Sequence, residues 1–313
     1  MEKYLPDCIG SLNRQKFGKE VEVILVDDGS IDNSLQICKK LTDGYNYYKI
    51  IRQNNQGVAS ARESGLNSAV GEYIAWVDPD DFIKDNWYEE IKKILNGDVD
   101  LVFFDYMEYH SYYGGKDKHI TYGNESRMIS KDEFIYELTR NYKIESQLWS
   151  KIIKRDLFDY KSFPKNLNVR EDYACLTNIA EKISNIYYLS IELYVYRQRN
   201  DSLVHVGTLQ QWSEGVELAW KRCEKLQGLG CKISFTGLLY DCLNICRCYQ
   251  ITDENAKGNF HYIYKKSMRM IRKHSMNVLF DNRFNIRDKL DFIAINFGVM
   301  KRWQMIKRWI KSY

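Results

Sequence analysis

Two segments of this sequence run from an apolar, β-branched stretch directly into clustered acids. Val21-Glu22-Val23-Ile24-Leu25-Val26 leads into Asp27-Asp28-Gly29-Ser30, and Gly71-Glu72-Tyr73-Ile74-Ala75-Trp76-Val77 leads into Asp78-Pro79-Asp80-Asp81. Short apolar runs bounded by turn residues are buried strands. Segments of helical period separate them, residues 33–43 and 58–69, with a short strand at 48–52 between. Strands alternating with crossover helices specify an α/β sheet. Ligands of such sheets bind beyond the carboxyl ends of the strands, so the acids at 27–28 and 78–81 mark the candidate site.

The rest of the chain follows from the same patterns. Residues 4–17 have a helical period, with Tyr4, Leu5, Cys8, Ile9 and Leu12 on one face. A helix at 85–95 and a strand at 100–106 precede a polar stretch to about 127, read as a loop or hairpin. Residues 131–141, 145–158 and 172–182 read as helices, and 186–197 contains a strand. Beyond 208 strand signals become sparse, which predicts a division into residues 1–207 and a helical region, 208–313. The 313 residues suffice for two cores, and a hydrophobic fraction of 44% excludes wholesale disorder. Basic and acidic residues nearly balance, 46 against 42, so no overall field favours nucleic acid. Met1-Glu2-Lys3 opens no secretory leader, and the eight scattered cysteines suit reduced thiols in the cytoplasm. Cys242, Cys246 and Cys248 lack the paired spacing of a zinc site and fit one helix face.

Asp78 and Asp80 stand two apart at a strand end. Carboxylates so placed can share one hard divalent cation, Mg²⁺ or Mn²⁺, which prefers oxygen ligands and leaves positions for phosphate and water. Alone, such a pair is more often a solvated turn. Here it has company. VEVILVDDGSIDNS, NNQGVASARESGL and GEYIAWVDPDDFI, in this order, resemble the nucleotide-sugar half of a family 2 glycosyltransferase with the GT-A fold. LWSKIIKRDLF at 148–158, REDY at 170–173 and YVYRQRNDSLVH at 194–205 extend the resemblance over about residues 2–205. No G-x-x-x-x-G-K-S/T phosphate loop and no G-x-S-x-G elbow occurs.

The resemblance implies a GT-A-like mixed, mostly parallel sheet flanked by helices. It also implies an inverting, metal-dependent transfer from a nucleotide-sugar, a UDP-sugar first, to a glycan or lipid-linked acceptor in surface polysaccharide synthesis. Position by position it makes Asp28 a contact to the base, Asp78 a contact to ribose or metal, and Asp80 the principal metal ligand. Arg62, Arg197 and Arg199 fall to the donor and its phosphates, and His205 to metal or diphosphate. Trp149, Lys151 and Glu171 fall to the acceptor side, and Asp172 becomes the general base, because a sugar hydroxyl must lose its proton as it attacks. Simpler roles remain open for several of these. Asp28 also fits a strand-end turn, Arg62 a surface ion pair, Glu171-Asp172 a helix start, Trp149 the core, and His205 an ordinary surface position.

Two further expectations concern the ends. The family begins with an apolar strand that Met1 already follows, so the strands at 21–26 and 71–77 should either close up or leave a gap. A chain lacking that strand could serve as a non-catalytic scaffold or binding protein instead. From Arg287 to Tyr313, seven Lys/Arg against two Asp are interleaved with Leu290, Ile293, Phe297, Trp303, Ile306 and Trp309. That composition suits an interfacial helix on the inner face of the cell membrane. A core helix with a basic outer face has the same pattern. No stretch approaches the ~20 apolar residues of a spanning helix.

Overall fold

The computed structural model describes residues 1–95, 98–110, 116–141, 143–164, 167, 170–199, 208–303 and 305. The chain divides into one unit of Met1–Phe134 with Ser146–Ser202 and a second of Ile135–Glu145 with Leu203–Tyr313. In chain order up to the end of the sheet the elements are α1 (Leu5–Asn13), β1 (Val23–Asp28), α2 (Ser34–Thr42), β2 (Tyr48–Gln53), α3 (Val58–Ser68), β3 (Tyr73–Ala75), β4 (Phe82–Ile83) and α4 (Trp87–Lys92). They continue with β5 (Leu101–His110), β6 (Lys118–Ile120), β7 (Arg127–Ile129), α5 (Lys131–Arg140), β8 (Lys151–Lys154), α6 (Glu171–Ile179) and β9 (Ile186–Gln198).

The fold is α/β with a mixed sheet, as the strand–helix alternation predicts. β1 and β2 pair in parallel, Val23 opposite Tyr48 through Asp28 opposite Gln53. The larger sheet runs β3-β8-β5-β9-β4, with β6 added to β5 and β7 to β9. Among the described residues only β5–β9 within it is parallel. The parallel share is therefore smaller than the sequence suggested. The crossover helix α2 lets β1 and β2 pair in parallel, and β5 and β9, with α5 and α6 between them in the chain, do the same, whereas the other pairs of the larger sheet are antiparallel.

Residues 145–158 are a correction. They read as helical, yet Lys151–Lys154 is β8, followed by a single 3₁₀ turn at Arg155–Leu157. Ile152 and Ile153 are both buried, flanked by Val102 and Leu101 on one side and by Ala75 and Ile74 on the other. A strand covered on both faces loses the alternating signal and leaves a short apolar run that a helix would also show.

Among the described residues no ladder joins β1 to β3, so of the two outcomes foreseen for these strands the chain shows the gap. Every residue of β1 is only partly buried. The two strands are tied instead at their base, where Glu22 accepts the amides of Val70 and Gly71 at 2.7 and 3.0 Å. Helix α1 carries Pro6 in its first turn, where no amide partner is needed, and Asp7 is favourable there too. It buries Leu5 and Ile9 against Cys38, Leu25 and Ile50.

The second unit is helical: α7 (Leu209–Gly228), α8 (Thr236–Ile251), α9 (Glu254–Lys257), α10 (His261–Lys273), α11 (Ser275–Phe280) and α12 (Ile286–Asn296). Thr208 and Gln211 cap α7 reciprocally. Helix α8 is its centre, with Leu239, Cys242, Leu243, Ile245 and Cys246 fully buried. The cysteines are there as small apolar residues. Gly237 lets α8 start against residues 139–141, because a Cβ there would lie 2.6 Å from the Thr139 carbonyl oxygen. Among the described residues no helix is long and apolar enough to cross a membrane.

Candidate active site

The acids at the ends of β1 and β3 behave differently. Asp28 is fully engaged with the turn that leads to α3. Its Oδ1 accepts from the Gln53 side chain at 2.8 Å and the Gln56 amide at 2.9 Å, and its Oδ2 from the Gly57 amide at 2.8 Å. Gly57 precedes α3 at φ 88°, a left-handed conformation that glycine adopts at no cost. Asp28 thus fixes the start of the helix that carries Arg62.

Arg62 is the centre of the site. Its guanidinium bonds Asp78 at 3.1 Å and, through its other terminal nitrogen, the carboxylate of Glu171. Three separate stretches, α3, the end of β3 and the first turn of α6, therefore meet on one side chain. Burial acts against the charge of Arg62, but Asp78, Glu171 and Asp172 around it outweigh burial and hold it ionised. α6 begins after Arg170, whose φ of 65° is left-handed without being glycine. That kink turns Glu171, which is buried, and Asp172 toward Arg62. Burial, reinforced by the charge of Glu171, pushes the Asp172 carboxyl up to about 6 against the pull of Arg62 and the Tyr173 amide.

The Asp78-Pro79-Asp80-Asp81 turn packs on β9. Asp80 pairs with Arg199 at 2.9 Å, and burial raises its carboxyl. Asp81, which is 1% exposed, accepts from the Tyr194 hydroxyl and the Arg197 amide at 2.9 and 2.8 Å. Burial and the charges of Asp78 and Asp80 push it up to about 8. Arg197 bonds the Asp80 carbonyl and Asp7 of α1 at 2.8 and 2.7 Å, and lies over the rings of Tyr4, Phe82 and Tyr109. The Arg199 guanidinium also lies over Tyr4, 5.2 Å from the ring centroid.

A model of the sequence family described as glycosyl transferase family 2 matches residues 1–162, more than half of the chain. The chain belongs to glycosyl transferase family 2. The glycosyltransferase GlyG of Streptococcus pneumoniae serotype 4 is 30% identical over 265 residues, which cover 80% of this chain and 87% of that protein. Several other curated relatives are longer, and the chain spans 34% to 63% of their length. Among solved structures, S. aureus TarS 1–349 in complex with UDP-GlcNAc superposes with a TM-score of 0.60 at 17% identity, covering 99% of this chain and 88% of that one. A mannosyltransferase, PcManGT from Pyrobaculum calidifontis, in complex with GDP-Man and Mn²⁺, gives 0.51 at 12% identity, covering 96% and 84%. These likenesses establish the GT-A type of the transferase's fold.

Not every side chain assigned from the sequence reaches this edge. Trp149 of the transferase is 4% exposed, stacked on Tyr194 and Tyr196 at 4.5 and 5.3 Å with its edge toward Tyr106. It is core packing, not an open wall for an acceptor. Lys151 is 1% exposed in β8 and donates to the Gln147 carbonyl and the Ser150 hydroxyl at 2.7 and 3.1 Å. Both sit where the misread helix becomes a central strand. His205 lies outside the described residues. In the other direction, sequence reasoning gave Tyr4, Asp7 and Tyr194 no role in the site and Asp81 no role of its own. Asp81 was visible in the acidic run, while Tyr4 and Asp7 carry no local signal and enter only because α1 packs beside β9.

Among the described residues no three acidic, histidine or cysteine side chains form a ready-made metal cage. The donor chemistry nonetheless fits a divalent cation. Asp78, Asp80 and Asp81 are oxygen donors crowded closely enough that the charge of Asp78 raises the Asp80 carboxyl and the two together raise Asp81, a repulsion that a hard cation at Asp78 and Asp80 would relieve. In this structure guanidinium groups supply that countercharge, Arg199 at Asp80 and Arg62 at Asp78.

Proposed function

We propose that this transferase moves a sugar, with inversion, from a nucleoside-diphosphate sugar to a hydroxyl of a glycan or lipid-linked glycan, in surface polysaccharide synthesis. The observation that carries the reading is Arg62 bridging Asp78 and Glu171, which sets Asp172 beside the donor carboxylates with its carboxyl raised to about 6. A base with that pKa is ionised at neutral pH and still strong enough to take a proton in the transition state. The acceptor oxygen attacks the anomeric carbon, its proton passes to Asp172, and the bond to the diphosphate oxygen breaks with its electron pair on the leaving group. A single displacement of this kind inverts the anomeric centre.

The leaving diphosphate gains negative charge as that bond breaks. Arg199 and Arg62, already at this edge, are the side chains suited to meet it. Asp80 and Asp78 would hold a Mn²⁺ or Mg²⁺ ion, which would supply further positive charge to the diphosphate. UDP-GlcNAc in TarS, and GDP-Man with Mn²⁺ in the mannosyltransferase, support a nucleotide-sugar donor and a divalent ion. UDP ranks first among nucleotides. A lipid-linked acceptor would bring the transferase to the inner face of the cell membrane as a peripheral protein. Thermal stabilisation by UDP-, GDP- and dTDP-sugars, each with and without Mn²⁺, tests the donor reading. One nucleotide should stabilise only with the ion, and a uniform lack of response would refute it.

A further inference from the structure

Helix α12 has two apolar faces. On one, Phe292 and Ile295 are buried, and the helix's acids turn the same way. Arg247 of α8 forms ion pairs with Asp288 at 2.9 Å and Asp291 at 2.7 Å, and the Trp303 indole N–H donates to Asp291 at 2.6 Å. The other face carries Ile286, Leu290, Ile293 and Phe297, spaced four, three and four residues apart in one row along the axis. These four are 40% to 78% exposed. A surface helix needs one apolar face for the core, and a second open row of this length marks a contact site.

The charges beside the row are mostly basic, the exposed Glu254 of α9 near Lys301 being the exception. Arg287, Lys301 and Arg302 are exposed and Lys289 is half-buried, while both acids of α12 are consumed on the inner face. The neighbouring α10 adds to this, since Arg272 in its last turn donates to Asn296 of α12 at 3.0 Å and is followed by exposed Lys273. We infer that the outer row of α12 is a membrane-docking surface that lays Ile286, Leu290, Ile293 and Phe297 into the headgroup boundary of an anionic bilayer. Charge selects this occupant. A second copy packed on the row would bring the same bases together, whereas anionic headgroups neutralise them while the acyl boundary takes the apolar side chains. This assignment goes beyond the transfer reaction and does not depend on it.

The test is cosedimentation of the full chain with vesicles of phosphatidylcholine and phosphatidylglycerol in equal parts, and with phosphatidylcholine alone. Two double variants are compared with the wild type, Ile293→Ser/Phe297→Ser and Arg287→Gln/Lys301→Gln. All four positions are on the surface, and unchanged melting and unchanged donor binding establish that each variant is folded. The wild type should sediment with the anionic vesicles and not with phosphatidylcholine alone. The charge variant should lose about 30-fold in partitioning, about fivefold for each base removed, and raised salt should mimic it. The serine variant should lose at least ~10-fold, from the apolar area withdrawn from the boundary. Equal sedimentation of all three proteins, or no anionic binding by the wild type, would overturn the assignment. So would a wild-type dimer in sedimentation velocity that the serine variant dissolves, since the row would then be a self-contact.

Discussion

Asp172→Asn separates the cost of a buried base from its use. In the folded chain burial and Glu171 hold the Asp172 carboxyl at about 6, against an ordinary value of 3.8. The folded state therefore binds this proton more tightly than the unfolded state, and the wild type loses stability as pH rises from the ordinary value through about 6. A gap of about two pH units between the folded and unfolded carboxyl corresponds to about 3 kcal/mol once the group is ionised in both states. Asparagine keeps the neutral form at every pH. Asp172→Asn should thus be more stable than wild type by up to about 3 kcal/mol near pH 8, and hardly more stable near pH 3, where both states of the wild type are largely protonated. The same substitution should preserve donor binding and lower transfer by ~10²-fold or more. Urea unfolding at the two pH values measures the first effect, and nucleoside-diphosphate release in the presence of acceptor the second. A variant equally stable relative to wild type at both pH values would refute the burial argument. Near wild-type transfer would refute the base assignment.

Other outcomes follow from the same contacts. Asp80→Ala should abolish the dependence of donor binding on Mn²⁺, which calorimetric titration of donor with and without the ion would register. Arg62→Met removes the counterion of Asp78 and Glu171 and should cost about 3–5 kcal/mol at neutral pH, less in acid, by urea unfolding. Trp149→Ala should lower stability by about 3–5 kcal/mol through loss of core stacking rather than raise acceptor KM alone, which unfolding and steady-state kinetics would distinguish.

Much of this was legible in the sequence because the informative residues are local. The acids of Asp27-Asp28 and Asp78-Asp80 follow apolar runs directly; the first pair ends β1, and the second begins three residues beyond β3, which stops at Ala75, short of the 71–77 read from the sequence. Helices α2, α3 and α5 lie within a residue or so of their expected bounds, since α2 and α5 are amphipathic and turn residues set off α3. The misreading at 145–158 arose where Ile152 and Ile153 are covered on both faces and periodicity says nothing. Trp149 was ambiguous for a related reason, because an aromatic in a motif looks alike whether it stacks on a ligand or on Tyr194 and Tyr196. The link through Arg62 was not legible at all. Glu171 lies 109 residues away from it, and only the fold shows that one guanidinium serves both acidic motifs.

The reaction's stereochemistry tests the central claim most directly, and water can stand in for the unknown acceptor. With an α-linked nucleotide-sugar and Mn²⁺, proton NMR at early times follows the anomer of the free sugar before it equilibrates. Direct displacement assisted by Asp172 predicts the β-anomer first, at a rate that Asp172→Asn depresses. Release of the α-anomer first, or release unaffected by that substitution, would contradict it.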